Sequence, residues 1–237
     1  MESAKLIGII SGSIVALSVI PYAIRTWQGK VTPVISSWSL WTVIALAILL
    51  SFIGSGANEN KWTAVFGFTN PLIITVLAIW RKDSAKKIIK INRRRRSPLT
   101  SLVIVLFIFR DKCLEQYSRM NKFDKTCLVF GLLSLTMSFF MRGGEKHNFE
   151  YALYLAIIAD AIGAVPTYNF LRKKPWEDRP FAWGLFGIGY CLNIFSITEH
   201  TLANYTLPTF MTLASGSITS FLIAYRIKNK IPLKEWI

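Results

Sequence analysis

The sequence predicts an all-α polytopic membrane protein, with seven transmembrane helices arranged as two parallel three-helix repeats joined by a linker helix. Three observations carry that prediction. Apolar residues make up 52% of the 237-residue chain and mean hydropathy is +0.40; they fall in blocks longer and more uniform than a soluble core requires. Lys and Arg lie between the blocks and favour one side of a threaded bilayer. A proline and a tryptophan recur at one spacing in two of the connecting loops.

Helical spans need roughly 20 apolar residues, because lipid satisfies no backbone group. The blocks that meet or approach this run near Leu6–Ile24, Val34–Gly54, Trp62–Trp80, Thr126–Met141, Tyr151–Leu171, Phe181–Thr198 and Leu207–Tyr225. The first has no small-residue cleavage site before Pro21, and Glu2 offsets Lys5, so it reads as a retained helix rather than a signal peptide. An eighth block, Leu99–Phe109, is short and bracketed by arginines.

Charge decides the count. Seven spans put 24 of the 28 Lys and Arg on one face and 4 on the other; an eighth span at Leu99–Phe109 would leave 15 against 13 and erase the bias. Seven spans therefore place the N-terminus outside and the C-terminus in the cytoplasm of a plasma membrane, with Leu99–Phe109 lying in the interface or packed on the bundle. The stretch from Lys82 to Arg96 reads either as a surface helix on anionic lipid or as a disordered basic loop. A net charge of +15 is thus explained by lipid and topology rather than by nucleic acid.

The order of spans, three, one, three, suggests duplication. Pro21 precedes Trp38 by 17 residues, and Pro166 precedes Trp183 by 17. Each pair brackets a short basic loop with its own proline: Pro33 in the first, Pro175 and Pro180 in the second. The organisation that follows is a first repeat over 1–81, a basic loop over 82–123, a linker helix over 124–142, a second repeat over 150–226 and a tail over 227–237.

This arrangement resembles the SWEET and PQ-loop transporters. Pro21-Tyr22 through Gly29-Lys30, then Pro33 and Ser37-Trp38-Ser39-Leu40-Trp41, is similar to the PQ-loop pattern, with Tyr22 where glutamine would stand. It resembles more closely an uncharacterised bacterial group that also has a D…P-T…P…E pattern, matched by Asp160, Pro166-Thr167, Pro175 and Glu177, and a run like Phe123–Leu128. The resemblance covers most of the chain outside roughly 93–122. It implies a bacterial inner membrane and a transporter of small polar solutes working by alternating access.

Candidate solute contacts follow from depth. Asp160 falls mid-span, where a carboxylate is costly and faces a bundle interior or a water-filled path. Gly163 and Thr167 share its face at i+3 and i+7. It reads as a substrate or proton site, or as a neutral acid that glues helices. Asn70 and Asn193 also fall mid-span, as solute contacts or interhelical hydrogen bonds. Trp38 and Trp41 belong to the interfacial aromatic belt or to one wall of an inner gate. Pro21 and Pro166 read as hinges, or as kinks in a last helical turn. Ser215 and Ser217 suggest packing, and His200 beside Glu199 a solvated helix end. Asn204-Tyr205-Thr206 fits a glycosylation sequon, without meaning in a bacterium.

No motif for hydrolysis, nucleotide binding or metal ligation is present, so no catalytic residue, metal or cofactor is expected. Cys113, Cys127 and Cys191 form no disulfide framework. A homo-oligomer is a possible assembly. Two other functions remain open: a receptor or assembly factor on the same bundle, and vitamin-precursor uptake.

Overall fold

The computed structural model describes residues 2–31, 33, 35–56, 61–81, 122–140 and 146–236. These fold as seven α-helices: α1 (Glu2–Gln28), α2 (Ile35–Gly54), α3 (Lys61–Arg81), α4 (Lys122–Phe140), α5 (Lys146–Lys173), α6 (Pro180–Asn193) and α7 (Leu202–Lys228). Short 3-10 turns follow α6 at Ile194–Ser196 and α7 at Leu233–Glu235. The Lys82–Arg96 and Leu99–Phe109 segments lie outside the described residues.

Among the described residues, five helices are long and apolar enough to cross a bilayer: α1, α2, α3, α5 and α7. The apolar part of α4 is confined to Lys125–Phe140, and α6 has only 14 residues before its 3-10 turn. The chain is therefore an all-helical membrane-spanning protein, with α4 and α6 shorter than the other helices. Helix α6 ends earlier than its apolar block because the Ser196 hydroxyl donates to the Asn193 carbonyl at 2.7 Å and tightens the last turn. Helices α1, α5 and α7, by contrast, run past their apolar blocks into polar flanks, α1 from Glu2 to Gln28.

The termini of the helices define two ends. The basic end carries Gln28, Lys173, Lys228 and the loop between α5 and α6; the far end carries Gly54, Lys61 and Asn193. Helix α3 packs against both α1 and α2, and α7 against both α6 and α5, although α7 meets α5 over a short stretch only. The two groups join where α1 packs on α6 and α2 packs on α5, and α4 lies against α2 and α5.

Glycine allows the closest of these approaches. A Cβ on Gly12 of α1 would lie 2.6 Å from the Trp62 Cβ of α3, and one on Gly189 of α6 would lie 2.6 Å from Val15 Cγ2 and 2.9 Å from the Ser11 carbonyl of α1. Helix α1 thus sits in a groove made by missing side chains, as small residues permit in membranes. Polar groups tie the same seams. Asn70 Nδ2 donates to the Val15 carbonyl at 2.8 Å, and the Ser51 and Ser138 hydroxyls meet at 2.6 Å between α2 and α4.

The sequon does not present an acceptor. Asn204 is buried in the first turn of α7, where Thr201 caps the helix and Asn204 Nδ2 donates to the Glu199 carbonyl at 2.8 Å.

Candidate functional site

Asp160 lies near the middle of α5. At 100° per residue, its two-residue offset from Ile158 turns it to the opposite side of the helix. Tyr151, Ile158 and Val165 make the outer face, each strongly exposed. The inner face changes character along its length. Leu153 and Ala156, toward the far end, are fully covered. Asp160, Gly163, Ala164 and Thr167, toward the basic end, are only half-buried although they point the same way.

Helix α2, packed against α5, repeats the change. Ile44, Ala47, Ser51 and Phe52 are fully covered, whereas Ser37, Trp38 and Trp41 at its basic end are half-buried. The seam between α2 and α5 is therefore fully covered in its far half and carries half-buried side chains in its basic half, where Leu40 and Leu171 are nonetheless covered. Asp160 stands at the inner limit of the half-buried part. Among the described residues, none hydrogen-bonds or ion-pairs with its carboxylate. Its one electrostatic neighbour among them is Tyr190.

Aromatic rings run from the Asp160 region toward the basic end. A Cβ on Gly163 would lie 3.6 Å from Trp41 Nε1, so the Trp41 indole covers α5 one turn from Asp160. Trp41 meets Trp38 edge to face at 5.3 Å between centroids, and Trp38 meets Tyr22 of α1 at 5.1 Å. Tyr22 then opens onto a shallow pocket at the basic end, where Pro21, Tyr22 and Arg25 of α1 face Glu177, Asp178 and Arg179 of the α5–α6 loop.

That loop is held from within. Arg226 of α7 is fully buried, and its guanidinium donates to the carbonyls of Pro175 at 3.3 Å and Asp178 at 2.5 Å. The Asp178 carboxylate accepts from Trp183 Nε1 at 3.0 Å and from the Arg179 amide at 2.7 Å. Burial pushes the Asp178 carboxyl up, opposed by those two hydrogen bonds and by the Arg226 and Arg179 charges. The tail closes over the loop: Arg179 donates to the Glu235 carbonyl, and the Phe181 amide to the Trp236 carbonyl at 3.3 Å.

The expected site residues separate into two sets. Asp160, Trp41, Trp38 and Thr167 lie together in the half-buried part of the α2–α5 seam. Asn70 and Asn193 do not join them: both grip α1, Asn70 through Val15 and Ser18, Asn193 by accepting from Ser11 Oγ at 3.3 Å. Each keeps one buried polar atom without a partner among the described residues, Asn70 Oδ1 and Asn193 Nδ2. Pro21 and Pro166 each stand seven residues before the end of their helices, α1 and α5, so two further helical turns follow both. Ser215 is buried against Gly187 of α6, and Ser217 bonds the Tyr168 hydroxyl of α5. His200 stacks on Tyr205 and hydrogen-bonds its hydroxyl at 2.7 Å.

Sequence reasoning passed over two residues. Tyr190, fully buried on α6, spans the bundle to donate to the Thr63 carbonyl of α3 at 3.0 Å. Arg226, counted only as a topological charge, is an internal clamp. An arginine within three residues of a long helix's end, facing a proline-rich loop, was the available signal. Among the described residues, no group of His, Cys, Asp and Glu could hold a metal ion. No protein-family model matches this chain, and neither a curated protein nor a solved structure matches it.

Proposed function

We propose that the chain is a transporter of small polar solutes that works by alternating access, its seven helices all crossing the bilayer as two parallel three-helix repeats joined by α4. The observation that carries this reading is Asp160: an acid with no partner among the described residues, at the inner limit of the half-buried part of the α2–α5 seam. A structural acid in a membrane helix finds a hydrogen bond or a counter-charge, or stays neutral. We read the half-buried part as a vestibule that brings a solute to Asp160.

The neighbour relations support the repeat. Exchanging α1, α2 and α3 for α5, α6 and α7 reproduces them: the third helix touches the other two, and the first helix of each half meets the second of the other. The short α5–α7 contact is where the halves differ, beside the vestibule. Pro21 and Pro166 lie at equal distances from their helix ends, as paired hinges would. The bias of Lys and Arg supports a cytoplasmic basic end in a bacterial inner membrane, with the basic segment near residues 82–123 on anionic lipid. The resemblance to SWEET and PQ-loop carriers fits the same plan.

Flux into proteoliposomes tests this. Wild-type protein should accelerate entry of at least one solute from a panel of sugars, amino acids, amines and vitamin precursors, and Asp160→Asn should abolish or strongly reduce it. Entry no faster than in empty liposomes across the panel contradicts the proposal. Deleting 82–122 should leave flux largely intact; loss of function there with no flux anywhere is the outcome a receptor would give.

A further inference from the structure

We propose that the vestibule selects solutes that carry a positively charged nitrogen, an inference that takes the transport reading as its setting but is decided by binding alone. The argument starts from charge. Asp160 is the acid on the inner face of α5, and no described cation reaches it. A carboxylate without a counter-charge at that depth gains a partner from an incoming cation and none from a neutral solute.

The walls are suited to the same ligand. Trp41 covers Gly163 one turn from Asp160, and Trp38 and Tyr22 continue the ring surface toward the basic end. Aromatic faces attract ammonium and guanidinium groups, most strongly where water is displaced. The inner face of α5 between Asp160 and Thr167 is built of small residues, Gly163 and Ala164, which let the Trp41 indole lie close against the helix. The pocket at the mouth balances Arg25 and Arg179 with Glu177 and Asp178, so it sets no strong barrier to either sign. The arrangement is a carboxylate at the end of an aromatic corridor, a chemistry matched to an organic cation rather than to a sugar or an anion.

Equilibrium binding tests the proposal without any need for flux. Purified full-length protein in detergent at neutral pH would be melted with choline, agmatine or ethylammonium, and with dimethylbutanol, the uncharged carbon isostere of choline. At least one ammonium or guanidinium solute should raise the melting temperature by a few degrees through mass action, and dimethylbutanol should not. Asp160→Asn should lose the shift, and Trp41→Leu should weaken binding about tenfold. An equal response to dimethylbutanol, a shift retained in Asp160→Asn, or no response to any of the cations overturns the proposal; the isostere comparison needs no variant to fold. Stabilisation by acidification alone, with no amine response, would make Asp160 a proton site and equally overturns it. Flux of a neutral solute with no cation binding would defeat this inference and leave the transport reading standing. Cation binding without flux would do the reverse.

Discussion

Tyr190 on α6 donates its hydroxyl proton to the Thr63 carbonyl of α3, 3.0 Å away, in space that Gly67 leaves by having no side chain. A Cβ at Gly67 would run into that hydroxyl. Gly67→Ala should therefore destabilise the bundle by about 1–3 kcal/mol, the cost of overpacking. Tyr190→Phe should cost about 1 kcal/mol for the lost bond. Combining the two should cost less than their sum, because removing the hydroxyl removes the clash. Unfolding in mixed detergent and denaturant measures all three, and strict additivity would show that the two side chains do not meet.

The α1–α6 seam gives a second comparison with its control built in. Gly189→Ala drives a methyl against Val15 and the Ser11 carbonyl, whereas a Cβ on Gly216 of α7 meets nothing within 4 Å. The first substitution should destabilise by about 1–3 kcal/mol. The second should be neutral or slightly stabilising, since alanine is the better helix former. Thermal melts of the two variants side by side check the ordering, and equal melting points would refute the close approach.

Arg226 should act as a clamp. Arg226→Met strips two charge-assisted hydrogen bonds from the Pro175 and Asp178 carbonyls and should cost about 2–3 kcal/mol. Arg226→Lys should not restore stability, because a single ammonium lacks the guanidinium fork that reaches both carbonyls. Trypsin cleavage after Lys173 is the readout, since Pro175 blocks the bond after Lys174: it should speed up in both variants. An unchanged rate would mean the loop is held by other contacts.

Asp178 should make stability depend on pH. Its carboxyl is pushed up, chiefly by burial, so folding favours the protonated form. That contribution is fully present below the unfolded value of about 4, and is lost as pH rises through the folded value. Wild-type protein should therefore lose stability relative to Asp178→Asn as pH is raised from about 4. Melting curves that stay parallel across that range would contradict it.

How much of this could be read from the chain follows from where each signal lies. Five of the seven expected spans were legible because hydropathy is local, and the place of Asp160 within α5 because one charge in an apolar block stands out. The helix ends were not legible: apolar blocks stop at the polar flanks, while the backbone of α1 continues to Gln28 and that of α6 stops at Asn193. The α1-facing roles of Asn70 and Asn193 depend on which neighbour each face meets, which composition does not state. Tyr190 was hidden because its partner is 127 residues away. Arg226 was misjudged because a basic residue at a helix end normally faces water, and only the fold of the α5–α6 loop buries it.

On the transport proposal, Asp160 ends a water-filled vestibule rather than a sealed core. Charged thiosulfonate reagents read this directly in a background with Cys113, Cys127 and Cys191 replaced by serine. The account predicts that Asp160→Cys and Thr167→Cys react readily in membranes, while Ile158→Cys and Val165→Cys, on the outer face of the same helix, react slowly or not at all. An unreactive thiol at 160, or one no faster than at 158, would contradict it.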